Sequence, residues 1–472
     1  MKYLIAFLLL FFGIEVFSQQ YSSFRLEGRI RGYPESKLVL NRVIGHKELK
    51  IRDIITDKGG TFDLLFNEAL PSGFYRLRVD QPNRRDMINL LISEKIIGLV
   101  THIDYFADSA RFSGSSQNIS MHEYMRLKGD YEARLSILEH LLSIYPADKR
   151  FYPQIVSEIN TLQDELIHDV DKITSRFPGT LLTAYIRSDL EPRFNPAFSA
   201  ASRQEYVMDN FLNDIDFLDT LLLYSDLFPN KAISYIMLHR NQAYDRVQQA
   251  DAFIKGVDKL LQRTLIEPKV FNFILEYLIS GFEQIGSEEV LTHIANNYEA
   301  LEQCITDKDS GELQRRIEGY KRLAEGKPAP TIDATDINGK PFILASIKAD
   351  NILLFFYASW CPYCTAMLPR IKELAIQVNA DTLAANQPRL TVLAVSIDVD
   401  QQAYKDLLQK NSLEADALKN FWFNHCDFRG WEGKVANDYY LYATPTLILL
   451  DRNLNIKKKP SGVEELKALL NR

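Results

Sequence analysis

Residues 352–369 read ILLFFYASWCPYCTAMLP: an unbroken apolar run, a short break, then two cysteines separated by two residues. A run with no polar face fits a strand buried on both sides, as at the centre of a parallel or mixed sheet. Ala358, Ser359 and Trp360 interrupt it. From Cys361 onward the residues suit a helix, with Pro362 in the first turn, where a missing N–H costs nothing. Cys361 is thereby placed at a helix N-terminus, where unpaired N–H groups and aligned peptide dipoles favour negative charge. A free thiol titrates near ~8.5, and in a CxxC of this geometry the value falls to about 7 or below. Cys361 is the expected nucleophile. Cys364, one turn on, is placed to bridge to it and to release a mixed disulfide formed on it.

The same spacing is half of many zinc sites, but a zinc site needs further ligands. The remaining cysteines, Cys304 and Cys426, are single, and the eight histidines are scattered without a second ligand pair, so no metal is expected. Three features stand around the motif instead. Trp360 precedes the first cysteine, Pro369 falls inside the helix, and Thr444-Pro445-Thr446 leads into the apolar run 447–450. Trp360-Cys361-Pro362-Tyr363-Cys364, Pro369 and the Thr444-Pro445 pair together resemble the thioredoxin superfamily. The long interval between Cys361 and Pro445 resembles its TlpA-like and ResA-like envelope branch. The resemblance covers about residues 325–472. It implies that Pro445 is cis and packs on the disulfide, and that Thr444 offers its backbone to a substrate strand. Trp360, Pro362 and Tyr363 then flank the bound substrate. It also implies protein thiols and disulfides as substrates and favours the reducing direction, fed by an electron donor in the membrane; no cofactor is expected. Two positions depart from the pattern. Many thioredoxins carry a buried aspartate six residues before the first cysteine, where this chain has Phe355. ResA-like members often carry a glutamate three residues after the second, where this chain has Met367. The proton-transfer group is left unassigned.

A chain of 472 residues is too long for one core and predicts two to four domains. Its net charge of -7 argues against a nucleic-acid partner, which would want a basic face. The basic clusters Arg84-Arg85 and Lys457-Lys458-Lys459 read as solvated turns or strand ends. Lys2, the apolar residues 4–12 and Val16-Phe17-Ser18 have the layout of a secretory signal, with Gln19 as the mature N-terminus. Export to the periplasm or cell envelope follows. An uncleaved anchor is the alternative. Four cysteines are too few for a disulfide-stapled secreted protein, so the CxxC is there to react.

Residues 24–112 alternate with period two between turn signals such as Lys58-Gly59-Gly60, which reads as a small antiparallel β-sandwich. Phe24-Arg25-Leu26-Glu27-Gly28 and Gly73-Phe74-Tyr75-Arg76-Leu77 resemble the β domain that precedes envelope thioredoxin-like proteins. After Ser113-Gly114-Ser115-Ser116 the period becomes helical. Tyr131, Leu135, Leu138, Leu142 and Tyr145, then Ile155, Ile159, Leu162 and Leu166, predict an antiparallel helix pair. Further helices are expected over 206–224, 232–247, 252–265, 270–284 and 288–305. Cys304 sits on an apolar helical stripe and reads as a buried small hydrophobe. In Asn424-His425-Cys426-Asp427, neighbours on a strand point to opposite faces, which argues against a catalytic group. A Cys304–Cys426 bridge is left open. Gly326-Lys327-Pro328-Ala329-Pro330 is the expected linker, followed by a hairpin about Asn338-Gly339.

The expected fold is multidomain α+β: a signal peptide at 1–18, a β-sandwich domain at 19–115, an all-α domain at 116–324 and a thioredoxin-like α/β domain at 325–472. The expected function is envelope thiol–disulfide exchange through Cys361 and Cys364. Two other classes are weighed against it: a redox-inactive binding protein using the same module, and a thiol peroxidase, which would not need Cys364.

Overall fold

The structure, a computed structural model, describes residues 23–301, 307–335, 341–380 and 387–470. The signal segment 1–18, Cys304 and the Asn338-Gly339 turn lie outside the described residues. The chain divides into two compact units, Met1–Leu238 and His239–Arg472.

The first unit begins with eight strands: β1 (Phe24–Arg31), β2 (Lys37–Ile44), β3 (Lys47–Ile55), β4 (Thr61–Phe66), β5 (Gly73–Val79), β6 (Met87–Ile92), β7 (Ile96–His102) and β8 (Arg111–Ser113). They form two four-stranded sheets, ordered β4-β1-β7-β8 and β3-β2-β5-β6. Inward residues of both, among them Leu26, Ile30, Leu38, Leu40, Leu77 and Leu99, share one core. The pairing of β1 with β7 is parallel, so the first sheet is mixed rather than wholly antiparallel. The turn into β4 forms because the Asp57 side chain accepts the N–H groups of Gly59 at 2.8 Å and Thr61 at 2.7 Å, while Gly60 takes a positive φ of 75°.

Five helices follow in this unit: α1 (Ser116–Ile144), α2 (Tyr152–Thr174), α3 (Leu181–Asp189), α4 (Ala200–Asn210) and α5 (Leu227–Leu238). Ser115 caps α1, and the buried Asn118 side chain exchanges two hydrogen bonds with the Leu91 backbone, tying the helix to β6. The α1–α2 pair forms, but its shared core is small: Leu142, Ile155 and Ile159 are buried, while Ile137 and Ile144 are exposed. Three expected helices end early, the 288–305 segment stopping at Asn297. The 206–224 segment stops being α-helical after Asn210, because Asp216 and Asp219 turn their carboxylates onto the N–H groups of Leu218 and Leu221. The 232–247 segment breaks after Leu238, where Asp245 and Gln248 make a capping box that starts the next helix.

The second unit opens with α6 (Arg246–Thr264), α7 (Pro268–Gln284), α8 (Glu288–Asn297) and α9 (Asp307–Arg322). The hairpin strands β9 (Asp333–Thr335) and β10 (Pro341–Ile343) pair antiparallel. An α/β layer follows: β11 (Asn351–Tyr357), α10 (Pro362–Asn379), β12 (Leu390–Ser396), α11 (Gln401–Lys410), β13 (Trp422–Cys426), α12 (Lys434–Asp438), β14 (Thr446–Asp451), β15 (Ile456–Lys458) and α13 (Val463–Leu470). Its sheet runs β13-β12-β11-β14-β15, with β11 central, parallel to β12 and antiparallel to β14. Every β11 residue from Ile352 to Tyr357 is fully buried, as a strand covered on both faces requires. Among the described residues, no helix is long and apolar enough to cross a membrane.

Candidate active site

β11 delivers the chain to the sheet's C-terminal edge, and Cys361 caps α10 there with extended backbone geometry. Its Sγ accepts the Cys364 N–H at 3.2 Å, so the sulfur takes the place of a capping oxygen. Cys361 and Cys364 are joined as a disulfide, with their Cα atoms 5.2 Å apart. Cys364 is fully buried and Cys361 is 5% exposed, so only the first cysteine offers a sulfur edge to solvent. Pro362 occupies the first turn of α10 and Pro369 lies within it.

The residue pair 83 positions downstream arrives opposite the disulfide: the Cys361 Sγ is 3.5 Å from the Thr444 carbonyl oxygen, and the Thr444–Pro445 peptide bond is cis. The rim is aromatic. Trp360 is 57% exposed and Tyr363 79%, and the Trp360 ring lies 6.5 Å from that of Trp431. Such flat, exposed rings suit contact with another chain.

Neither position that departs from the thioredoxin pattern supplies a carboxylate. Phe355 is fully buried and its ring stacks on Tyr357 at 5.1 Å, and Met367 packs against the core. A buried carboxylate comes instead from Asp398, just beyond β12 and 1% exposed. It accepts the Ser359 N–H at 3.0 and 3.1 Å, the Ser359 hydroxyl at 2.6 Å and the Ser396 hydroxyl at 2.6 Å. Asp398 thus anchors the turn that carries Trp360 and Cys361. Sequence reading missed it; the signal was the Ser396-Ile397-Asp398 spacing, in which a serine and an aspartate two apart at a strand end can share one turn.

Cys426 carries a free thiol at the end of β13, with its sulfur 3.4 Å from the Asp398 carbonyl oxygen. Burial pushes this thiol up to about 11, so it stays protonated at neutral pH. Tyr357 and Tyr404, both buried nearby, are likewise driven well above the usual phenol range by desolvation. Among the described residues, no group of three or more His, Cys, Asp or Glu side chains gathers as metal ligands would.

The helices before the sheet reach this site. The Tyr320 hydroxyl on α9 meets the Tyr442 hydroxyl at 2.5 Å and donates to Glu283 on α7 at 3.0 Å. Glu283 is in turn paired with Arg316 at 2.6 Å. Tyr442 stands two residues before Thr444, so this network holds the segment facing Cys361. α9 comes close through Gly319: a Cβ there would fall 2.8 Å from the Tyr440 Cβ, closer than real side chains approach.

A family model described as Thioredoxin-like matches residues 350–456. The chain is 24% identical over 149 residues to the thiol-disulfide oxidoreductase ResA of Bacillus thuringiensis subsp. konkukian, a stretch covering 30% of this chain and 72% of that protein. It is 31% identical over 87 residues to the soluble secreted antigen MPT53 of Mycobacterium bovis, covering 18% of this chain and 45% of the antigen. Among solved structures, a thioredoxin-like protein from Bacteroides caccae aligns over 60% of this chain and 97% of its own, at 18% identity and a TM-score of 0.41. The matched residues take in β11, α10 and the cis-proline segment, the parts that meet at the two sulfurs, so residues 350–456 make up a thioredoxin-like domain similar to that of ResA.

Proposed function

We propose that the protein is an exported thiol–disulfide oxidoreductase that acts on protein disulfides, in the reducing direction. The observation that carries this reading is the Cys361 sulfur, accepting an N–H at the start of α10 with Cys364 bonded behind it. In the reduced enzyme the helix end favours the Cys361 thiolate. That thiolate attacks one sulfur of a substrate disulfide; the Cys361–substrate S–S bond forms, the substrate S–S bond breaks, and the departing thiolate takes a proton from water. Cys364 then loses its proton and attacks the Cys361 sulfur, expelling the second substrate thiolate. The product is the intramolecular disulfide, and two electrons have passed to the substrate. A dithiol donor, in this reading held in the membrane, restores the enzyme.

Thr444 and Pro445 are assigned to holding the partner chain, and Trp360, Pro362 and Tyr363 to its flanks. Export rests on the layout of residues 1–18, and the ResA and secreted-antigen relatives support it. In the same reading, residues 19–115 form a β-sandwich scaffold, 116–324 a helical domain and 325–472 the redox domain. The test is trapping in the native compartment. With Cys364→Ser, mixed disulfides with substrate proteins accumulate through Cys361 and are released by dithiothreitol. No trapped protein, together with a phenotype that survives Cys361→Ser, would transfer the assignment to a redox-inactive binding protein. Peroxide consumption that survives Cys364→Ser would transfer it to a peroxidase.

A further inference from the structure

α9 ends before the matched residues 350–456 begin, yet it runs along the segment that leads to the sulfurs. The Arg315 guanidinium donates to the Asn437 side-chain oxygen at 2.8 Å, and that of Arg322 to the Tyr440 hydroxyl at 3.3 Å. Between them Gly319 lets the helix approach the Tyr440 Cβ, and Tyr320 meets the Tyr442 hydroxyl. Tyr440 has a positive φ of 49°. That left-handed conformation costs a bulky residue on the order of 1–3 kcal/mol and persists only where the surroundings over-determine it. Contacts from α9 are part of those surroundings.

The far end of the same segment reaches the reacting atom. The Thr444 carbonyl oxygen lies 3.5 Å from the Cys361 sulfur, and from Thr446 onward the chain is fixed by pairing with β11. Tyr320 secures the other end of this short span. It is 6% exposed and anchored to Glu283, whereas Tyr442 is 53% exposed and is tied to the helices through its hydroxyl. In the reduced enzyme a carbonyl oxygen beside Cys361 accepts from a neutral S–H and opposes a thiolate. Cys361 is also only 5% exposed with this loop across from it, and desolvation opposes the thiolate again. The helix start favours the anion, and the loop works against it.

We propose that Tyr320 is a positioning residue for the thiol chemistry: by tying Tyr442 it keeps the Thr444 carbonyl against the Cys361 sulfur and restrains ionisation of the nucleophile. Through this loop, α7 and α9 set how much thiolate the reduced enzyme carries at rest. This rests on the thiol–disulfide reading above and adds a control on the reactivity of its nucleophile. Loosening the tie takes the carbonyl away and admits water. Both changes act in one direction, toward more thiolate at a given pH.

The test follows alkylation of Cys361 by iodoacetamide in the full, reduced chain carrying Cys364→Ser, read by peptide mass spectrometry across a pH series. Only the thiolate reacts, so the ratio of the rate at pH 6 to that at pH 9 reports ionisation, while easier reagent access raises both rates alike and cancels. Tyr320→Phe, which removes the hydroxyl and keeps the ring, raises that ratio about threefold. Tyr442→Phe does the same, and the double variant goes no further than either, because the two substitutions delete one contact. Tyr298→Phe is the control. It deletes a 2.7 Å hydrogen bond to Asp258, between the end of α8 and α6 in the same unit, so it lowers the urea midpoint and leaves the ratio unchanged. A ratio that Tyr320→Phe leaves unchanged or lowers, that Tyr298→Phe moves equally, or that the double variant moves by the sum of the single effects overturns the inference. A Cys361 that titrates near ~8.5 like a free thiol sinks the thiol–disulfide reading itself, whereas a low titration that Tyr320→Phe does not shift sinks only the role of Tyr320.

Discussion

Cys361 and Cys426 are two thiol positions at the same edge of one sheet, and the structure treats them oppositely. The Cys361 sulfur accepts a backbone N–H at a helix start, which stabilises an anion. Both sulfurs have a carbonyl oxygen nearby, Thr444 at 3.5 Å for Cys361 and Asp398 at 3.4 Å for Cys426, but Cys426 ends a strand, and desolvation there outweighs its hydrogen bonds from Phe428 and Ser396 and pushes the thiol up. Asp398 touches both: its carboxylate holds the Ser359 turn leading to Cys361, and its main-chain oxygen receives the Cys426 thiol. What separates the two sulfurs is placement: one caps a helix and the other ends a strand.

The comparison is broken most directly by exchanging each sulfur for oxygen. Cys361→Ser is expected to lower small-disulfide turnover by on the order of 10³-fold or more, and Cys426→Ser to change it by less than about twofold. Steady-state rates of the two purified variants decide it, and comparable losses would put Cys426 in the chemistry. Selective alkylation sharpens it. With a thiol held near about 11, only about one Cys426 in ten thousand is ionised at pH 7. In the reduced protein, iodoacetamide should modify Cys361 at least about a hundredfold faster, as mapped by peptide mass spectrometry. Moving to pH 9 should raise the Cys426 rate about a hundredfold and leave Cys361 nearly unchanged, because its thiolate is already abundant.

Asp398→Ala attacks the shared element. It strands the Ser359 N–H and two hydroxyls in a buried place, so stability should fall by about 2–4 kcal/mol, read from the urea midpoint. The smallest effect concerns pH. A thiol whose folded pKa is raised above the unfolded value near ~8.5 keeps its proton in the fold while the unfolded chain releases it. Stability from this group is therefore complete below about pH 8.5 and declines toward about 11. Cys426→Ala should flatten that alkaline decline by less than about 1 kcal/mol at pH 9, and an unchanged slope would mean other groups cause it.

The redox centre was readable in the chain because it is local. A CxxC following a doubly buried strand needs only neighbours in sequence, and Pro445 announces itself by standing just before an apolar strand. Asp398 was not readable, since its value depends on β12 ending beside β11, a pairing between residues some forty apart. The Tyr320–Tyr442 contact spans 122 positions, and α9 itself was passed over because its buried apolar residues, Leu313, Ile317 and Tyr320, are few within a mostly charged stretch. The helices expected over 206–224 and 232–247 failed for a different reason. Apolar spacing favoured continuation there, while Asp216, Asp219 and Asn241 offered the backbone closer partners.

The hydroxyl contact between Tyr320 and Tyr442 bears on how the molecule can be taken apart. A fragment begun at residue 325 keeps the CxxC but discards Tyr320, Glu283 and the close approach at Gly319, baring one flank of the loop opposite the sulfurs. Such a fragment would carry the two sulfurs without the brace that α7 and α9 give the loop across from them.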